Sequence, residues 1–190
     1  MNPLRLALGV ALVVSAGLSF ADPPKTELLS DKSRIGFVTK QMGVPVEGRF
    51  GRFSAQVAFD PRRPEGGSIS LSIDTGSAAL GIPQSDAELP RPAWLDTAKH
   101  PSANFRSTAI KGLGNGQFEV VGRLTIKGAT QDVVVPVAIT QAHGESVASG
   151  SFTLQRLGFK VGEGEWTDTS MIANDVEVRF KFTLTGLGPL

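Results

Sequence analysis

The chain carries two histidines and no cysteine, so side-chain proton transfer and metal ligation near neutral pH fall to His100 and His143. They stand beside Pro101 and Gly144, far apart in the sequence, without the close ligand spacing of a zinc site. No Gly-x-Ser-x-Gly elbow raises a nucleophilic serine. Gly112-Leu113-Gly114-Asn115-Gly116 is glycine-rich, but it separates two strand-like runs and reads as a hairpin, not a phosphate cradle. Asp60, Asp74, Glu119 and Asp132 alternate with apolar residues or end such runs, as solvated charges do. Two features remain. Arg156 stands where an alternating run stops, placed to hold a ligand head group or to pair with Asp168 or Asp175. The run from Gly162 to Asp168 sets the amphipathic ring of Trp166 in a glycine-rich loop, where it could lid an entrance.

The elements that would position these residues are strands. From Val176, every second residue is apolar (Val176, Val178, Phe180, Phe182, Leu184), with Glu177, Arg179, Lys181 and Thr183 between. Successive strand side chains point to opposite faces, so this strand has one buried and one wet face. The alternation recurs in four of the strands before it, and strands are read at 33–40, 46–60, 68–74, about 102–112, 116–127, 130–143 and 146–157. In 46–60 the parity reverses between Phe50 and Phe53, which predicts a bulge or bend near Gly51. Pro136 cannot donate to a ladder, so it belongs at an edge or an irregular place. Residues 75–101 break the pattern, and one or two short helices, near 84–90 and 92–98, are expected inside this crossover. The fold class is all-β: an eight-stranded antiparallel barrel whose interior holds its own side chains or one small ligand.

The inward face is apolar and rich in phenylalanine. The candidate lining takes Phe37, Phe50, Phe53, Phe105, Phe152 and Phe180 from the strands, with Leu71, Ile73, Leu124 and Val135. Trp94 in the crossover, Trp166 in its loop and Arg156 complete the candidate ligand-binding set. Gly48, Ala55, Ser107 and Gly122 share the inward parity. They either leave room for a guest or seat large neighbours.

Residues 1–21 read as a secretory signal peptide. Arg5 is followed by an apolar run from Leu6 to Phe20, with small residues at Ser19 and Ala21 before Asp22. The run is short for a membrane span. Export to the periplasm follows, leaving 22–190 as a single domain. With Arg5 removed, acidic and basic residues balance, which argues against nucleic acid as a partner. No basic cluster marks stable membrane attachment.

The ordered set of short motifs also resembles a known family. Ser33-Arg34-Ile35-Gly36-Phe37 and Val46-Glu47-Gly48-Arg49-Phe50 come first, then Phe53 and Phe59-Asp60-Pro61. Trp94-Leu95-Asp96, His100-Pro101 and Phe105-Arg106-Ser107-Thr108 follow, then Gly122-Arg123-Leu124-Thr125-Ile126-Lys127-Gly128. Arg156, Gly162-Glu163-Gly164-Glu165-Trp166 and Asp175-Val176 close the series. At these spacings, over about 28–187, the chain resembles the YceI-like family of exported proteins. The resemblance implies a lipocalin-like barrel, a polyisoprenoid (quinone-like) or other long-chain lipid held non-covalently, no cofactor, and a homodimer with transient membrane contact. Two departures stand out. Lys40-Gln41 replaces the Lys-His of many members, and Lys99-His100-Pro101 replaces their Lys-Tyr-Pro in a chain with no tyrosine. The expected function is a lipid carrier and not an enzyme. The rivals are a guest-free interaction or stress-response module, and a lipid-modifying enzyme working through His100, Arg156 or an acid at the mouth.

Overall fold

Period-two burial runs through the strands of the computed structural model, which describes residues 26–190. The leader assigned to 1–21 lies outside the described residues. The strands are β1 (Glu27–Leu28), β2 (Arg34–Gln41), β3 (Val44–Phe50), β4 (Phe53–Ala58), β5 (Ser68–Asp74) and β6 (Ala78–Ala79). After the α-helix α1 (Pro83–Glu88) come β7 (Ser102–Gly114), β8 (Gln117–Ile126), β9 (Ala129–Ala142), β10 (Glu145–Gln155) and β11 (Asp175–Thr185). They form one curled sheet in the order β4-β5-β7-β8-β9-β10-β11-β2-β3-β6, with β1 paired to the end of β11. Every pairing is antiparallel.

Four connections are two-residue hairpins: Met42-Gly43, Asn115-Gly116, Lys127-Gly128 and His143-Gly144. Both residues of each pair have positive φ. That backbone matches the twist of the flanking strands, and glycine takes the second position without steric cost.

Among the described residues the expected eight strands are eleven. The parity reversal after Phe50 is a true bend: the ladder breaks at Gly51 and Arg52, so the one expected strand becomes β3 and β4. The chain from β5 to β6 follows it round the corner, with Asp74 N–H donating to Arg52 O (3.0 Å) and Gly51 N–H to Ser77 O (3.1 Å). β3 pairs with β2 and β6, while β4 pairs with β5. The hydrogen-bonded path therefore starts on one half of the bent strand, β4, and finishes on β6 beside the other half, β3. The other additions, β1 and β6, are two residues long and too short to show a period.

The second expected helix, near 92–98, is a series of turns. Trp94 and Asp96 both donate to Arg91 O, and His100 donates to Asp96 O. Pro92 disfavours helical backbone at Arg91, and Asp96 has φ of +46°, so no helix propagates.

Two apolar clusters form the buried inner face of the sheet. One joins Ile110, Phe118, Val120, Val135, Ile139, Ala148 and Leu184; the other joins Ile35, Ile73 and Ala103. Gly48 and Gly122 do not open space themselves. The ring of Phe37 lies over the first and that of Phe105 over the second, where a Cβ would overlap them. Gly48→Ala is therefore expected to push the Phe37 ring inward, at a cost of about 1–3 kcal/mol typical of overpacking. Urea unfolding beside a wild-type control measures it, and an unchanged midpoint would show that the ring has room to retreat.

The β9–β10 ladder stops at Ala138 and Ser149. Residues 150–155 of β10 continue with β11 alone, and 129–137 of β9 with β8 alone. Pro136 stands in this unpaired stretch, where its missing N–H breaks no cross-strand bond. A shallow cleft there is lined by Gln131, Val133, Phe152, Leu154 and Gly158. Phe152 and Leu154 also face the interior and so separate the cleft from it.

Candidate functional site

The inward faces of the strands do not meet. They enclose a cavity of about 350 Å³, within the roughly 300–1,000 Å³ of small-molecule sites. At one end it is closed by apolar side chains such as Leu28, Phe59, Phe118, Ile139, Leu184 and Leu187. The other end is built from the end of β2, the crossover with α1, and the 156–172 segment. The polar lining groups Thr39, Gln41, Thr75, Ser85, Glu88 and Arg156 all belong to this mouth.

The lining expected from sequence falls around this cavity with one exception. Phe37, Phe50, Phe105, Phe152 and Phe180 face it, as do Leu71, Ile73, Leu124, Val135, Trp94, Trp166 and Arg156. Phe53 does not line it: the residue packs its ring against Phe182, with centroids 5.8 Å apart, as part of the second core cluster. Thr39, Glu88, Phe159 and Ile172 line the cavity without having been singled out. Thr39 was within reach of the pattern, since its parity on β2 is that of Ile35 and Phe37. Phe159 sits in a 3-10 turn, fully buried, where no period points to it.

Arg156 is 2% exposed and pairs with neither Asp168 nor Asp175. Its five N–H groups go to five backbone carbonyls. Nε donates to Ala173, Nη1 to Val161 and Gly162, and Nη2 to Trp166 and Ile172, at 2.7–3.1 Å. Burial lowers its pKa below the ordinary guanidinium value. Since a guanidinium offers five donors and no acceptor, Arg156 has none left for a ligand. Its work is to fold the 157–174 segment over the mouth.

Trp166 of that segment meets Trp94 of the crossover, their ring centroids 5.4 Å apart and tilted by 46°. Ala93 O accepts from both Gly162 N–H and Glu163 N–H, which ties the crossover to the loop. Lys127 adds a second tie: its buried ammonium donates to Lys160 O and to Glu163 Oε2, both at 2.7 Å.

The hydrogen bond from Lys127, followed by its charge, holds the Glu163 carboxyl below the ordinary glutamate value. A depressed carboxylate contributes stability above its unfolded pKa and loses it as pH falls through the folded one. The tie should thus hold at neutral pH and weaken below about 4.3. Tryptophan emission reports the mouth directly, so it should shift to the red on acidification. Glu163→Gln should remove that dependence; an identical acid transition in the variant would assign it to another group.

His100 abuts Gly128, just before β9, and His143 follows β9. The 14 residues of that strand hold them roughly 40 Å apart at about 3.3 Å per residue, so they share no metal. Among the described residues, no cluster of three His, Asp or Glu side chains could hold a metal ion. No helix among them is long and apolar enough to cross a membrane.

A curled antiparallel sheet around an apolar cavity with one polar mouth defines a β-barrel-like binding fold. Its sequence matches the YceI-like domain over residues 27–184, and the chain belongs to the YceI-like family. A UPF0312 protein of Vibrio cholerae is 29% identical over 163 residues, covering 84% of this chain and 82% of the relative. The crystal structure of Burkholderia cenocepacia BcnA is similar at 39% identity and a TM-score of 0.80, over 83% of this chain and 99% of that one. A polyisoprenoid binding domain from Saccharophagus degradans, implicated in plant cell wall breakdown, shares the fold with a TM-score of 0.69 at 16% identity. That match covers 87% of this chain and 99% of the neighbour.

Proposed function

We propose that this protein is a periplasmic carrier, exported by a leader cleaved after Ala21, that holds one long-chain lipid of polyisoprenoid type. The observation that carries this reading is the enclosed cavity of about 350 Å³ with an almost wholly apolar lining. Each methylene drawn into such a site gains about 0.8 kcal/mol. Roughly ten buried carbons, two isoprene units, would contribute about 8 kcal/mol before the costs of association. The binding described for the Saccharophagus domain supports the same ligand class.

The tail desolvates in the closed end while the head stays at the mouth. Neither a cofactor nor a covalent step is involved. Loading and release take place in transient contact with a membrane. They require the 157–174 segment or the crossover to move, since together these cover the mouth. The protein works as a homodimer.

The test is mass spectrometry of the organic extract from protein purified out of the periplasm without detergent. One lipid near equimolar ratio is the expected result. A blank extract, repeated after incubation with total membrane lipid, would overturn the carrier.

A further inference from the structure

Among the described residues seven large apolar side chains are exposed, and four of them, 46–69% exposed, stand on the segments that build the mouth. Met42 and Val44 belong to the β2–β3 hairpin, Ile82 directly precedes α1, and Met171 lies in the 157–174 segment. Met42 N–H donates to Met171 O (2.8 Å). Their chain neighbours Gln41 and Ile172 form a β-bridge, and both line the cavity. Val44 lies opposite Gln41 in the ladder, and residues directly opposed project from the same face. The apolar inner face therefore continues past the rim into solvent.

Two of these positions ask for a polar residue. Met42 has φ of +50° at the first place of a two-residue hairpin turn, where Asn, Asp or Gly is favoured. The same place in the other three such hairpins holds Asn115, Lys127 and His143. Ile82 is the N-cap of α1 and makes no side-chain cap bond, where Ser, Thr, Asn or Asp would supply one. Neither side chain gains burial in return. Local rules broken with no internal gain mark functional surfaces.

Size and charge narrow the partner. Four side chains so exposed present on the order of 400 Å², about half of what one partner contributes to a standard protein complex. Within four residues of them along the chain stand one cation, Lys40, and the carboxylates of Glu47, Asp86, Asp168 and Asp175. An anionic lipid surface attracts clustered cations, not this set. A zwitterionic surface takes up apolar side chains in proportion to the area they bury.

We propose that Met42, Val44, Ile82 and Met171 form a docking surface for a zwitterionic lipid bilayer. It seats the mouth against the membrane, so that a tail passes between bilayer and cavity without crossing water. This rests on the lipid-carrier reading and names the surface through which the cargo moves.

The test is flotation of delipidated protein with phosphatidylcholine vesicles, with and without added phosphatidylglycerol. The wild type should float with the neutral vesicles equally at about 0.05 and 0.5 M salt, and no better with the anionic ones. The quadruple variant Met42→Asn, Val44→Thr, Ile82→Thr, Met171→Gln should bind at least about tenfold more weakly. It should melt within a few degrees of wild type, since it follows the turn and cap preferences. Val134→Thr, at an exposed apolar residue of β9, should change nothing. Transfer of a fluorescent apolar probe from protein to vesicles should slow in the quadruple variant, while probe affinity without vesicles stays the same.

A quadruple variant that floats like the wild type would overturn the surface. So would one that melts far below it or sediments differently, because these side chains would then pack within the fold or between copies. Tighter binding to anionic vesicles at low salt would overturn it as well. If the wild type takes up the probe but does not float, the docking surface fails and the carrier stands. If it floats through these residues but takes up no probe, the carrier fails alone.

Discussion

Arg156→Ala is expected to lower the unfolding free energy by roughly 3–5 kcal/mol, the range for removing one partner from a buried charged network. The loss is not of a salt bridge, since none is present. It is of five donors serving the carbonyls of Val161, Gly162, Trp166, Ile172 and Ala173. Those acceptors would be left facing an apolar cavity, where unmet polar groups are costly. Arg156→Lys keeps the charge but replaces a planar fork with three clustered donors, and should recover less than half of the loss. Urea titration at neutral pH gives the energy, and hydrogen exchange over 157–174 should show that segment opening first. A loss under about 1 kcal/mol would mean that packing, not this side chain, shapes the mouth.

Filling the closed half of the cavity should weaken long tails about 100-fold while leaving short ones alone. Ala148 on β10 is buried at 7% exposure, lines the cavity and lies opposite Ile139 and Phe182 in the ladders. The ring of Ala148→Phe would take the volume of three or four methylenes, about 0.8 kcal/mol each. Overpacking strain and the gain from filling a void oppose each other, so the empty variant should melt within a few degrees of wild type. Dissociation constants for a long and a short tail with the same head decide the matter. Equal weakening of both would place the tail elsewhere.

The strands were legible because one wet and one dry face write themselves into every second residue. The bend at Gly51 was legible for the same reason, since a change of parity shows in sequence. What escaped had no period. The two-residue strands β1 and β6 are too short to alternate, and the turns after Pro92 follow backbone torsions. Gly48 and Gly122 read equally as room for a guest or as seats for large neighbours; they seat Phe37 and Phe105, a distinction that depends on ring rotamers. Arg156 was recognised as a mouth residue, but carboxylates were weighed as its partners. Backbone carbonyls brought round by a loop carry no residue-type signature, so neither Asp168 nor Asp175 could have been ruled out. Phe53 shares the inward parity of β4, yet the bend turns it onto Phe182.

A long open strand edge invites another copy of the chain to extend the sheet, the first step toward aggregation. Here the hydrogen-bonded path ends on β4, covalently continuous with β3 through Gly51-Arg52 and flanked by β1, and on β6, only two residues long. The stretch of β9 that β10 leaves unpaired carries Pro136, which has no N–H to offer. The long open stretches that remain, on β9 and on residues 150–155 of β10, flank one cleft, which is lined by Phe152, Leu154 and Gly158. The short, bent or proline-bearing ends of the path leave few places where a second copy could add a strand backbone to backbone.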